Sequence, residues 1–267
     1  MPNFNGIKEL LKMRTSKKFI AMNVTPDMEM KIQYLLKNVV FGHQEYYQKW
    51  FMKSFLTSLS SQSLRPDLVR FVCTCVIPTN EILQSSVLPR WAFCGWVLST
   101  CSTPQSISRA RLALVWDWLL FKENRNGIMD IEPCLLLMHH SRKNNPMITY
   151  GILDFLLRLI KEFYEPLEEE IRRGIINSFR FILKKGVVNS IVPILIDTQK
   201  HLKVSPCLQD QIQNVFFKIS FRLEKSFQVM FQARKSEKNL KCHVCFFPII
   251  RQWLVLQLYV FEVSKVR

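Results

Sequence analysis

Glycine is scarce in this chain, with seven residues in 267. They are scattered, so no glycine-rich loop is available to cradle a phosphate, and no turn-punctuated strand pattern argues for an all-β fold. The GxSxG elbow, the HExxH helix and the EF-hand loop are absent as well, which removes the commonest hydrolase, metalloprotease and calcium-sensor readings. Long apolar runs are also missing. The most apolar late stretch, WLVLQLYVF, has about half the residues a membrane-spanning helix needs. The N-terminus, MPNFNGIKELLKMRTSKK, lacks the apolar centre of a secretory signal. Acidic residues are outnumbered, 21 against 37 Lys and Arg, for a formal net charge of +16. Such an excess favours anionic partners, nucleic acid above all, and equally suits a solvated basic surface.

Hydrophobic residues make up 48% of the chain. Eight cysteines in this length are too few for a disulfide scaffold. Cys73, Cys75, Cys94, Cys101 and Cys134 lie inside apolar runs, where a free thiol acts as a small hydrophobe. A reducing compartment fits that usage. The expectation is an intracellular protein that does not span a membrane.

Proline punctuates the chain, and proline is tolerated in the first turn of a helix. Thr25-Pro26-Asp27 opens a segment whose Met28, Ile32, Leu35, Leu36 and Val39 recur at three- and four-residue steps, the spacing of one buried helix face. Further starts are predicted at Arg65-Pro66-Asp67, Leu88-Pro89, Thr103-Pro104, Glu132-Pro133, Asn145-Pro146 and Glu165-Pro166, with Thr79 capping a short turn. The gaps are short, so neighbouring helices should pack antiparallel. The fold class is all-α, a HEAT-like α-solenoid of stacked helices. Residues 1–215 form the helical-repeat region. Residues 216–267 form a divergent basic and apolar tail without a clear period, whose last 51 residues supply +7 of the charge.

Each candidate for chemistry has a packing alternative. Cys242-His243-Val244-Cys245 is half of a zinc site at best, because no Cys or His follows Cys245 to complete it. His139 and His140 are adjacent, about 100° apart on a helix, so they do not form a ligand pair, and they suit packing near a helix C-terminus. Six tryptophans, among them Trp91, Trp96, Trp116 and Trp118, could stack on bases. Trp91 and Trp96, however, are flanked by Ala92, Phe93, Val97 and Leu98, and the tryptophans read as core or inter-helix packing. Glu168–Arg172 and Glu169–Arg173 are i,i+4 pairs that stabilise a helix. No catalytic, cofactor-binding or metal site is assigned. The candidate surface for nucleic acid or an acidic partner is basic: Arg14, Lys17 and Lys18, with Arg142 and Lys143.

The runs RTSKKFIAMNVTPDMEMK, FGHQEYYQKWF, SQSLRPDLVRFVCTCVIPTNEILQSSVLPRWAFCGWVLSTC, ARLALVWDWLLF, IMDIEPCLLLMHHS and ITYGILDFLLRLIKEFYEPLEEEIRRG resemble the Integrator complex subunit 3 family across roughly residues 4–200. The resemblance implies a nuclear scaffold subunit, with a cytoplasmic pool allowed, and no enzyme activity. It implies roles in small nuclear RNA processing and transcription regulation within Integrator. Within the SOSS complex it implies single-stranded DNA sensing, DNA damage signalling and homologous-recombination repair. The implied partners are a single-stranded-DNA-binding OB-fold protein, a small companion subunit and other Integrator subunits, with DNA reached through the OB-fold protein rather than directly. Family members are far longer, so the chain corresponds to part of their N-terminal helical half. Two other readings are a helical repeat that binds nucleic acid directly and a small zinc-binding adaptor built on Cys242 and Cys245.

Overall fold

A computed structural model describes residue 21 and residues 23–195. Nine α-helices follow one another there: α1 (Pro26–Asn38), α2 (Glu45–Phe55), α3 (Leu64–Thr74), the single turn α4 (Asn80–Leu83), α5 (Arg90–Ser99), α6 (Pro104–Leu119), α7 (Ile128–Asn144), α8 (Pro146–Glu162) and α9 (Glu168–Lys184). Short 3₁₀ turns at Leu59–Ser63 and Glu165–Leu167 lead into α3 and α9. No strand occurs among the described residues; one isolated antiparallel bridge, Val40 with Val87, ties the end of α1 to the entry of α5.

The proline reading holds for most starts. Pro26, Pro104 and Pro146 occupy the first turns of α1, α6 and α8, and Pro89 is the N-cap of α5. Thr25, Thr79 and Thr103 each accept a backbone N–H from their own first turn, as capping requires. Pro66 lies two residues inside α3 and Pro166 falls in the 3₁₀ turn before α9. Pro133 differs. The helix it was expected to open begins five residues earlier, at Ile128, and the proline sits inside α7. A proline there removes the N–H that would bond the carbonyl of Met129. A guanidinium N–H of Arg90 reaches that carbonyl instead, at 2.8 Å.

From α3 onward the long helices pack on one another: α3 on α5, α6 and α7, α5 on α7, α6 on α9, α7 on α8 and α8 on α9. That pattern is an all-α solenoid of stacked helices sharing one continuous apolar core. At its centre lies α3, buried along its whole length except at Asp67. In α1 the predicted face is inside, with Ile32, Leu35, Leu36 and Val39 buried and Met28 half-buried. Trp118 is fully buried; its Nε1–H donates to the Ile131 carbonyl at 3.2 Å and its ring meets Phe179 edge-on at 4.9 Å. Trp91 and Trp96 are half-buried against the core, whereas Trp116 is 45% exposed, contrary to the core reading. Past Pro104 in the first turn of α6, the other exposed residues of that helix, Gln105, Ser108 and Arg109, are polar.

Two glycines do structural work. Gly186 takes φ +71° just past α9, where its N–H bonds Leu183 and the next N–H bonds Ile182, ending the helix as a left-handed residue can. Gly174 lets α9 approach α6 closely. A Cβ there would collide with the Leu119 carbonyl oxygen and lie 2.8 Å from that of Trp118, both rigid backbone. Gly174→Ala is expected to destabilise by at least about 1–3 kcal/mol despite alanine's better helix propensity. Urea unfolding checks it, and an unchanged midpoint would contradict the close contact.

Candidate partner-docking surface and the arginines that stiffen it

Three arginines lie in the interior, each 4–5% exposed. A charge withdrawn from water must be met by acceptors, and each of these is. Arg65 donates to the Leu56 carbonyl that ends α2, to Ser61 and to Thr100 at the end of α5, at 3.0–3.1 Å. Arg70 crosses from α3 to α6, gripping both carboxylate oxygens of Asp117 (2.7 and 3.1 Å) and the Ala113 carbonyl. Arg90 reaches the carbonyls of Val72 and Cys73 at the end of α3, Val76 just beyond, Met129 in α7, and the Glu132 carboxylate at 3.1 Å. Burial still raises the Glu132 carboxyl above the usual range, against the pull of Arg90. These residues join helix ends that would otherwise carry orphan carbonyls. Sequence reasoning gave these three no role; the signal available for Arg70 and Arg90 is their place inside otherwise apolar runs.

The cysteines and histidines also belong to the packing. Cys73, Cys94 and Cys134 are buried, Cys75 and Cys101 half-buried, and all five are free. The Cys94 thiol is pushed well up by its hydrogen bond with Cys73 and by burial, and Cys134 by burial, so neither is a reactive thiolate. His140 stacks on Trp91 of α5, rings 4.1 Å apart and 12° from parallel, and His139 meets His140 edge-on. Sequence reasoning expected packing near a helix C-terminus, and the packing is there, but at a site where the dipole favours positive charge. Even so, burial, with Arg142 nearby, pushes His139 down to about 3 and His140 to about 4, so both are neutral. Among the described residues no cluster of three or more His, Cys, Asp or Glu is placed to hold a metal. No helix there is long and apolar enough to cross a membrane.

Of the five basic candidates, Arg14, Lys17 and Lys18 lie outside the described residues, as do Cys242 and Cys245. Arg142 and Lys143 sit together in the last turn of α7. Arg142 is half-buried and donates to the His139 carbonyl at 2.5 Å, capping its own helix, while Lys143 is exposed. In α9, Arg172 bridges Glu168 as expected, whereas Glu169, expected to pair with Arg173, pairs with Arg172 as well.

The outward feature that sequence reasoning missed lies between α1 and α2. Met30 and Tyr34 stand four apart on α1, off its buried face; Tyr46 and Trp50 stand four apart on α2. Met30, Tyr34 and Trp50, with Lys31, Leu35 and Tyr47, surround a groove of about 320 Å³, and Tyr46 stands at its edge against Tyr47. Tyr34 and Tyr47 lie 6.0 Å apart, Tyr46 meets Tyr47 edge-on at 5.5 Å, and Lys31 Nζ stands 5.1 Å over Trp50 while pairing with Asp27 at 3.2 Å. Met30 is 64% and Tyr46 74% exposed. A contiguous exposed aromatic and methionine surface is the kind that protein partners cover. The groove offers no nucleophile or acid–base pair; what it can do is bind.

Comparison with known proteins accords with this. The family described as Integrator complex subunit 3 N-terminal matches residues 1–214. Integrator complex subunit 3 of Danio rerio is 48% identical over 193 residues, covering 72% of this chain and 19% of that protein. The Homo sapiens protein is 39% identical over 246 residues, covering 91% of this chain and 24% of its own length. The Anopheles gambiae homolog is 46% identical over 193 residues, 72% of this chain and 18% of that protein. The chain thus spans about a fifth to a quarter of the curated relatives it matches. On that likeness, which runs through helices and connections alike, the chain belongs to the Integrator complex subunit 3 family.

Proposed function

We infer that the chain is a non-enzymatic scaffold in the nucleus, acting within Integrator in small nuclear RNA processing and transcription regulation. Within the SOSS complex it supports single-stranded DNA sensing and homologous-recombination repair. The observation that carries this reading is the match over residues 1–214 to a family whose members are named as subunits of the Integrator complex. The physical character of the chain supports it: a solenoid braced internally by arginines keeps its shape while presenting an apolar groove outward. Its partners on this reading are the OB-fold protein that binds single-stranded DNA, the small companion subunit and other Integrator subunits. Affinity purification of the tagged chain from nuclear extract should recover Integrator subunits. Exposed side chains contribute little to folding, so Tyr46→Ser with Trp50→Ser should lower that recovery while shifting stability by no more than about 0.5–1 kcal/mol. A tagged, folded chain that brings down no Integrator subunit contradicts the reading.

The net charge of +16 favours a second reading, direct contact with nucleic acid. Its test is the affinity of the chain alone for an oligothymidylate across a salt series. A steep slope, equivalent to several released counterions, supports direct contact; a flat one leaves the DNA to the partner.

A further inference from the structure

A fourth arginine behaves unlike the three in the core. Arg111 on α6 lies half-buried over Gly151 of α8. A Cβ at residue 151 would collide with its Nη2 and stand 2.8 Å from its Cζ, so the guanidinium is seated by the absence of a side chain. Glycine inside a helix is costly, and Gly151 lies in the interior of α8. Burial pulls the Arg111 charge down more than the nearby Asp154 restores it. Asp154 itself accepts from Arg158 Nε at 3.1 Å. Among the described residues Arg111 makes no hydrogen bond or ion pair, whereas Arg65, Arg70 and Arg90 each make three or more hydrogen bonds. A half-buried guanidinium seated over a helix-weakening glycine, with its nearby carboxylate, Asp154, already bonded by Arg158, has donors left for a ligand. Such local inconsistencies cluster where a ligand supplies what is missing.

The surroundings say what that ligand is. Arg111 and Ser108 form one side of a groove of about 570 Å³ between α6 and α8. Asp154, Arg158 and Glu162 form a charged row along α8, and Phe155, Leu159 and Phe163 an apolar row beside it. We propose that this groove binds an acidic–apolar segment of a partner protein, with a carboxylate held by Arg111 and Arg158 and an adjacent aromatic or aliphatic side chain laid on Phe155, Leu159 and Phe163. Arginine's fixed fork of donors matches a carboxylate, and the apolar row supplies area that a small anion could not use. A nucleic-acid backbone is the poorer fit, because Asp154 and Glu162 line the same groove and repel a run of phosphates while leaving room for one carboxylate. The proposal rests on the scaffold reading in that its ligand is part of a partner protein.

The test is selection of a random dodecapeptide display library on the immobilised full chain, followed by affinity measurement of the enriched peptides. Expected is enrichment of Asp or Glu next to Phe, Leu or Trp, with affinity falling at least tenfold in Arg111→Gln and measurably in Gly151→Ala, which displaces the guanidinium. Arg111→Gln should keep or raise the thermal midpoint, since it removes a charge that Asp154 compensates only in part; a purely structural arginine would lower it. Absence of acidic enrichment, or selected peptides that bind Arg111→Gln within twofold, overturns the proposal. So does competition of those peptides by an oligothymidylate at equal strength in both proteins. Integrator subunits recovered equally by Arg111→Gln would likewise sink this site and leave the scaffold reading standing, whereas their absence with the unaltered chain sinks the reading itself.

Discussion

Replacing Arg90 with methionine is expected to cost about 3–5 kcal/mol, the range for removing one partner of a buried ion pair. Methionine retains much of the bulk, so the loss is electrostatic rather than a cavity. Three deficits appear together. The Glu132 carboxylate remains in the interior without its counter-ion. The Val76 carbonyl and the ends of α3 lose their donor. The Met129 carbonyl, already deprived of a helical partner by Pro133, is left unsatisfied a second time. For a domain holding about 5–15 kcal/mol in total, that is a large share. The thermal midpoint should drop by roughly 10 °C or more. Adding Glu132→Leu removes the stranded carboxylate and should recover part of the loss, though not the carbonyl component. A double variant no better than Arg90→Met would assign the whole effect to the carbonyls. A single variant within about 1 kcal/mol of the parent would contradict the bracing role altogether.

Acid should unfold the chain well above the range where carboxylates titrate, because two imidazoles are buried neutral. The direction follows from linkage. The folded-state values of His139 and His140 are pushed down to about 3 and about 4, below the ordinary 6.5. The stabilisation is therefore complete above about pH 6.5 and is lost as pH falls through that value towards 4 and 3, because the unfolded chain takes up the protons first. Well inside that window each histidine contributes a slope of up to about 1.4 kcal/mol per pH unit. Groups facing the pair reinforce the effect: Arg142 and Lys143 of the same helix repel an imidazolium, and Trp91 of α5 supplies a flat apolar face. Glu132 runs the other way. Its carboxyl is raised, so the charge is disfavoured in the fold and falling pH relieves that penalty, which offsets part of the histidine slope. His140→Phe keeps a ring against Trp91 and removes one titrating group, so its loss of stability between pH 6.5 and 4.5 should be shallower than the parent's. Chemical unfolding at a series of pH values measures it. Equal slopes in the two proteins would show that the imidazole is not buried neutral.

Much of the fold was legible in residues whose local physics and tertiary role coincide. Pro26, Pro104 and Pro146 begin helices because proline suits a first turn, and nothing else in the structure opposes that. The inner face of α1 followed from spacing alone. Pro133 misleads because its local meaning is overruled by a residue 43 positions away: Arg90 supplies the missing donor, and the helix runs through. The same long-range character hid the core arginines. Arg65 and Arg70 read as ordinary charged positions on a helix until α5 and α6 are folded against them. The paired histidines were read as packing residues, and His140 does pack on Trp91 of α5; their neutrality was hidden because desolvation by α5 outweighs a dipole effect of about 1 kcal/mol. Tyr34, Tyr46 and Trp50 carried no warning, because an aromatic on a helix looks alike in sequence whether a neighbour covers it or not.

The most direct measurement is size-exclusion chromatography with light scattering on the purified full chain mixed with the single-stranded-DNA-binding OB-fold protein proposed above as its partner. The scaffold account predicts a stable complex whose mass is the sum of the two, formed without DNA and weakened by Tyr46→Ser with Trp50→Ser, or by Arg111→Gln if the groove on α6 and α8 is the one used. A well-folded chain that elutes alone at every ratio, with the OB-fold protein eluting separately, would contradict it.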